Sequence, residues 1–350
     1  MEAKRFSPGS PAAAGYRMPA EWEPHAATWL SWPRREGISF PDGYDAAMPA
    51  FRGMVDALRG SEPVHINVSD SAHEADVRSI LQGIDLAHVR FFHIPTNEPW
   101  CRDHGPLFIK RETDRHLAVV DWNYNAWGGK YPPFDLDEVV PTRVAEYLHL
   151  EVFYPKLVME GGSIDLNGTG SLLTTSACLL NPNRNPSKTK AEIEQALSDY
   201  LGVRHFLWLG EGIEGDDTDG HIDDITRFVG PHRVVTAVEP DRDDPNHEPL
   251  RENLKILRTL RNEADVPLEV LEVPMPARVV KQQQRLPASH LNFYIANTVV
   301  LMPAFGGPSD QAAARILERC FPTRRLVAID CRELVWGLGA FHCLTQQQPA

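Results

Sequence analysis

The sequence predicts an α/β protein folded as one closed domain, with loops converging on a central cavity. Three observations predict it. A β-hairpin signal, then an amphipathic helix, then a buried strand recur along the chain. The recurrence comes at similar intervals, longer than most solenoid repeats and suited to a ring of α/β modules. No glycine-rich dinucleotide fingerprint or P-loop is present, which argues against a Rossmann-like sheet.

In chain order, residues 1–17 hold Pro, Ser, Gly and Ala without an apolar run. They read as a loose N-terminal tail, neither signal peptide nor anchor, ahead of a single domain over 18–350. Tyr44–Arg59 reads as a helix before the strand Pro63–Val68, and Ser71–Gln82 as a second helix before Val89–Ile94. The hairpin signals follow: Leu107–Lys110 with Leu117–Asn123, Ser163–Leu166 with Ser171–Thr175, Ile225–Val229 with Arg233–Val238, and Leu291–Ile295 with Val299–Met302. Their turns are rich in Gly, Asn and Pro, as at Asn167-Gly168-Thr169-Gly170. Helices are expected over Pro141–His149, Lys188–Leu201, Leu250–Glu263 and Ser309–Cys320, where apolar residues recur at three- and four-residue steps. Each leads into an apolar strand: Glu151–Tyr154, His205–Leu209, Leu268–Val273 and Arg325–Ile329.

Composition narrows the function. At 350 residues, 42% hydrophobic and 24% charged, the chain has the make-up of a soluble globular protein. A net charge of −13 disfavours nucleic acid as a partner and suits a small cation. No stretch reaches the roughly 18 apolar residues of a membrane-spanning helix. Five unevenly spaced cysteines argue against a disulfide framework and for a reducing cytoplasm. The sequence is compatible with a homo-oligomer.

Four distant segments carry groups that one site could use: Trp100 to Pro106, Glu160-Gly161-Gly162, Asp219 to Asp223, and Gly337 to Cys343. A guanidinium carbon is a poor electrophile because its charge is spread over three nitrogens. Cleaving it requires carboxylates to hold the planar cation, a thiolate to attack and an acid–base group to move protons. Asp103 and Asp223 are the natural carboxylate pair, Cys343 the nucleophile, His221 the acid–base group and Glu160 its orienting partner. Trp100 and Trp127 lie beside turn residues and read as pocket walls, Gly162 is a further substrate-binding candidate, and Gly337 and Gly339 let a loop approach a ligand without side-chain clashes.

Plainer readings exist for each. A cysteine near a C-terminus is often only a small hydrophobe, and Cys101 is a rival thiol that shares a side with Asp103 if the segment is extended. Asp103 before His104-Gly105-Pro106 can be turn chemistry, and Glu160 an ordinary loop charge. The acidic run 215–224 invites a metal, but Phe228 sits where a calcium loop needs glutamate and the histidines are too few for zinc. Asp216, Asp217 and Asp224 read as solvated or capping.

These motifs, in this order, resemble the agmatine deiminase and bacterial-type peptidylarginine deiminase family of the guanidino-group-modifying (pentein) superfamily. The resemblance spans about Met18 to Gln347. It rests on Met-Pro-Ala-Glu-Trp-Glu-Pro-His (18–25), Trp100 to Pro106, Asn-Ala-Trp-Gly-Gly (125–129), Glu160-Gly161-Gly162, Asn181 to Pro186, Asp219 to Asp223, Asn292 to Asn297 and the Cys343 tail. It implies a five-module pseudo-symmetric α/β propeller and hydrolytic deimination through a covalent thiouronium, with no cofactor. Residue by residue it implies the same roles for Cys343, His221, Asp103, Asp223 and Glu160. The 125–129 and 243–246 segments look more like the agmatine branch, which makes agmatine the expected substrate and peptidyl-arginine or another guanidino compound the alternative. Where family members often carry Gly-Gly-Gly-Asn-Ile-His-Cys, this chain has Leu338, Ala340 and Phe341, a departure that bears on substrate choice and rate. A non-catalytic guanidino binder and a metal-dependent amidohydrolase are the readings from other classes.

Overall fold

The computed structural model describes residues 6–350. Their strands form five sheets of three or four strands and one two-stranded hairpin. The five sheets share one plan, an antiparallel pair extended by a parallel strand. Leu107–Arg111 runs antiparallel to Leu117–Val120, which is parallel to Glu151–Phe153. Ile164–Leu166, Ser171–Thr175 and His205–Leu209 repeat the plan, as do Thr226–Gly230, Arg233–Val238 and Glu269–Pro274. Tyr294–Ile295, Val299–Ala304 and Arg325–Asp330 form the fourth. Parallel neighbours need a crossover, and the helices Val140–Leu148, Lys190–Leu201, His247–Leu257 and Pro308–Cys320 lie in those connections.

The fifth sheet contains the two strands expected near the N-terminus, as Val64–Val68 and Val89–His93, together with two that were not expected. His25–Ser31 runs parallel to Val64–Val68, but its antiparallel partner is Thr345–Pro349, from the other end of the chain. Thr-Gln-Gln-Gln-Pro has no apolar alternation, so periodicity cannot mark it as a strand. It is nevertheless buried at Thr345, Gln346 and Gln347, where Gln347 Oε1 accepts from Arg102 Nη1 at 2.8 Å. This pairing carries the short helix Phe341–Leu344, and with it Cys343, into the interior.

Local chemistry moves several element ends. Lys190–Leu201 begins two residues later than expected because Thr189 and Glu192 form a reciprocal capping box, and Gly202 ends it at φ 74°. The helix expected to reach Glu263 stops at Leu257; Asn262 Oδ1 instead accepts from the backbone of Ala264 and Val266, a local turn that competes with the helix. The expected tail through residue 17 is not loose from Ser7 onward. Ser7 N donates to Asp199 Oδ1 at 2.6 Å, Ala12 N to Asp199 O at 2.9 Å, and Tyr16–Arg17 adds an edge strand to Leu107–Arg111. The strand buries the Tyr16 ring against Phe153 and so offsets the ordering cost. The first five residues of that expected tail lie outside the described residues.

Candidate active site

Trp100 and Cys101–His104 make a single helical turn, not an extended segment, so Cys101 and Asp103 point to different surroundings. Cys101 is fully buried among Trp29, Phe108 and Val119, away from the cavity, and burial pushes its thiol up to about 12. Asp103 instead lines a cavity of about 230 Å³ together with Trp100, Trp127 and Cys343. The Trp127 indole reaches it through a strained loop. Ala126 and Trp127 both have left-handed φ, 51° and 55°, an arrangement costly for side-chain-bearing residues. Asn125 holds the loop, accepting from Gly128 N at 2.8 Å and donating to Asn183 O at 3.0 Å. The Trp127 Nε1 then donates to Asp103 Oδ2 at 2.9 Å.

The remaining carboxylates and the imidazole converge on Gly162. A Cβ placed there would lie 2.6 Å from His221 Nδ1, 2.8 Å from Asp103 Oδ1 and 3.0 Å from Asp223 Oδ2. Only glycine leaves these three groups room to face one another, and its N–H donates to Asp103 Oδ1 at 3.0 Å. His221 sits between two carboxylates, Nδ1 3.7 Å from Asp103 and Nε2 3.8 Å from Glu160. Burial opposes its charge, yet Asp103, Cys178 and Glu160 together hold its proton well above the usual imidazole range. Burial raises Asp103 to about 6, helped by Asp223 and Glu160 and opposed by His221. Burial also pushes Asp223 up, but its 2.6 Å contact with His342 Nδ1 outweighs this and keeps it low. Asp223 Oδ1 and Glu160 Oε2 are buried with no hydrogen-bond partner, open acceptors in a site expected to take a cation.

Cys343 is buried at the cavity with Sγ 3.7 Å from Asp223 Oδ2 and 3.0 Å from Asn292 Nδ2. Burial and then Asp223, Asp224 and Asp103 push its thiol well up, and the Asn292 hydrogen bond opposes them. Thus all five expected catalytic residues, with Trp100, Trp127 and Gly162, are drawn to one region. The acidic run is only partly as expected. Asp216 does cap, accepting from the backbone of Thr218, Gly220 and His221. Asp217 instead takes the Tyr131 hydroxyl at the cavity wall, and Asp224 is buried beside Asn292 because the turn Ile222–Asp224 packs inward.

Sequence reasoning assigned no role to four groups. Arg184 is buried and donates Nε to Glu160 Oε1 at 2.7 Å, leaving the other oxygen to face His221. His342 spans Asp223 and Glu21, the latter 2.8 Å from Nε2. Glu21 is held well down despite its burial by Arg227, His342 and Arg102. Asn292 is the fourth. Each lies within or beside a quoted motif, but its role depends on partners tens to hundreds of residues away. Among the described residues, Glu160, Cys178 and His221 are the one set of three whose ligand atoms come within 4.8 Å of one another. Of the 216–224 run, only His221 belongs to that set.

The cavity wall is acidic and aromatic. Its lining includes Glu98, Asp103 and Asp217 with Trp100, Trp127, Tyr131 and Trp336, and, among the described residues, no Lys or Arg. Glu98 accepts from the backbone of Ile38 and Ser39 at 2.9 and 3.0 Å, fixing the loop over one side.

Fold and site together define a buried thiol, an imidazole and paired carboxylates at the foot of a small acidic cavity. The chain belongs to the Porphyromonas-type peptidyl-arginine deiminase family, whose family model matches residues 17–349. It is 37% identical over 364 residues to agmatine deiminase of Pseudomonas aeruginosa (strain LESB58), covering 97% of each chain. Among solved structures it is similar to the agmatine deiminase of Enterococcus faecalis, with a TM-score of 0.92, 31% identity and 99% of each chain covered. A cysteine-to-serine variant of C. jejuni agmatine deiminase with substrate bound matches with a TM-score of 0.89 at 26% identity, again over 99% of each chain.

Proposed function

We propose that this chain hydrolyses the guanidino group of agmatine, giving N-carbamoylputrescine and ammonia. The observation that carries this reading is the placement of Asp103 and Cys343 in the lining of one acidic cavity, with Asp223 buried behind them 3.7 Å from Cys343 Sγ and no Lys or Arg in that lining among the described residues. Paired carboxylates suit a planar guanidinium. Arginine would bring an α-carboxylate to a lining that, among the described residues, carries carboxylates and no Lys or Arg, whereas the second amine of agmatine suits Glu98 and Asp217. The substrate named for the Pseudomonas, Enterococcus and C. jejuni relatives supports the same choice.

In this reading Asp103 and Asp223 hold the guanidinium with its carbon facing Cys343 Sγ. The thiol is high in the free site, so the arriving cation, not a fixed one, draws it to the thiolate. Sulfur attacks the carbon and forms a tetrahedral adduct. His221, held protonated between Asp103 and Glu160, gives its proton to the departing amine, and ammonia leaves. The planar thiouronium is then attacked by water, whose proton returns to His221. Collapse of the second adduct breaks the C–S bond as its hydroxyl proton passes to sulfur. This releases the neutral ureido product and restores the Cys343 thiol, while the proton that the thiol first gave to solvent ends on ammonia. Electrostatic positioning of charge that changes only during reaction is the source of rate. Burial opposes the charge on Glu160, but His221 and then Arg184 hold its carboxyl below the usual range, so Glu160 and the imidazolium support each other.

Five sheets of one plan, the last closed by both chain ends, support reading the architecture as a five-module pseudo-symmetric α/β propeller around this cavity. All five cysteines are free, in keeping with a cytoplasmic setting, and among the described residues no helix is long and apolar enough to cross a membrane. The test is ammonia release from agmatine, free arginine and an arginyl peptide, each with and without chelator. Chelator-insensitive release from agmatine alone is expected. Preference for the peptide would move the substrate to peptidyl-arginine, as the family's name suggests, and loss with chelator would favour a metal-dependent reaction.

A further inference from the structure

The geometry points to Asn292 as a catalytic residue whose amide N–H holds and stabilises the Cys343 thiolate. Asn292 lies in the turn before Tyr294–Ile295, and its side chain is 1% exposed. It grips the nucleophile segment through its backbone carbonyl and both polar atoms of its side chain. Its backbone carbonyl accepts from His342 N at 3.0 Å. Its Oδ1 accepts from Ala340 N and Cys343 N, both at 3.2 Å. Backbone N–H groups can only donate, so this face of the amide must be oxygen and the other must be nitrogen. The two hydrogens of Nδ2 are then both used, one to Asp224 Oδ1 at 3.0 Å and one to Cys343 Sγ at 3.0 Å.

The surroundings make that one donor important. The charged groups acting most strongly on the sulfur are carboxyls: Asp223 and Asp224 from the Ile222–Asp224 turn, and Asp103 from the Cys101–His104 turn. Each disfavours a thiolate, as does burial, and the Asn292 hydrogen bond works against them. A hydrogen bond to a charged acceptor in a buried setting is stronger than to a neutral one, so the donation strengthens as the thiol ionises. Asp224 sits well above the ordinary carboxyl range, through burial first and then Asp223 and Asp216.

The assignment deepens the deiminase reading, in which Cys343 is the nucleophile, but its test needs no substrate. Two variants separate the donor from the scaffold. Asn292→Asp keeps an oxygen for Ala340 N and Cys343 N while replacing the N–H with an acceptor. Asn292→Ala removes both without adding charge, and carries the same readout if the Asp variant does not fold. Iodoacetamide alkylation of Cys343 is followed by peptide mass spectrometry across pH, with thermal melting as the folding control. The midpoint for alkylation is expected to rise by about one pH unit or more, a tenfold or greater loss of thiolate at fixed pH. Agmatine turnover should fall at least as far. Unchanged midpoints in the folded variants, even with reduced turnover, would overturn the assignment and leave Asn292 a structural clamp. Shifted midpoints in a protein whose wild type ignores agmatine would keep Asn292 and reject the substrate.

Discussion

Replacing Gly162 with alanine tests the convergence of the site most sharply. The backbone there is not left-handed, so the methyl group, not the main chain, is the whole perturbation. The new carbon would sit 2.6 Å from His221 Nδ1, about 0.8 Å inside an ordinary contact near 3.4 Å, and would also press on Asp103 and Asp223. None of these neighbours is the free end of a flexible chain. Trp127 and Gly162 N hold Asp103, and His342 holds Asp223. Relief must therefore come as a shift of close to 1 Å among the reacting groups. Overpacking of this kind costs about 1–3 kcal/mol in stability, while a 1 Å misplacement costs roughly a hundredfold in rate. The variant should thus remain folded, with kcat/KM for agmatine down about a hundredfold and only a modest fall in Tm. Steady-state kinetics beside calorimetry decide it. Activity within a few fold of wild type would show that the three groups do not need their present spacing, and would refute the convergence.

Other expectations follow from individual groups. Because burial and neighbouring carboxylates lift Asp103 to about 6, it is protonated and unable to clamp a cation below that pH; kcat/KM for agmatine should fall about tenfold per unit on the acid side of pH 6, and a flat acid limb would remove Asp103 from binding. Leu338 stands at φ 71° in the cavity wall, so Leu338→Gly should relieve backbone strain of about 1 kcal/mol, roughly cancelled by the entropy of glycine, while KM rises as the wall is lost. An unchanged KM in titrations would show that Leu338 does not touch substrate. Cys101→Ala should keep turnover within a few fold, since that thiol is buried outside the cavity; abolished turnover in a folded variant would revive it as the nucleophile.

Much of the fold was legible where one segment carries its own signal. The hairpins around Asn167-Gly168 and Gly230-Pro231, and the strand His205–Leu209, lie where turn chemistry and apolar runs place them. What was not legible depends on partners far along the chain. Thr345–Pro349 is a strand because His25–Ser31 lies beside it, and Ser7 to Arg17 is ordered because Asp199 and Leu107–Arg111 receive it. The site divides the same way. Side chains with intrinsic chemistry, such as Cys343 and His221, stand out as letters. Asn292 and Arg184 do not, because an amide or a guanidinium gains its meaning only from the sulfur or carboxylate it is brought against.

The central claim is a covalent reaction of the Cys343 sulfur with a guanidinium carbon. Rapid acid quench of the enzyme with agmatine, followed by intact and peptide mass spectrometry, tests it directly. The account predicts a transient mass gain equal to agmatine less ammonia, mapped to the peptide bearing Cys343 and absent in Cys343→Ser. Steady ammonia release with no adduct at any quench time, or an adduct on another residue, would contradict it.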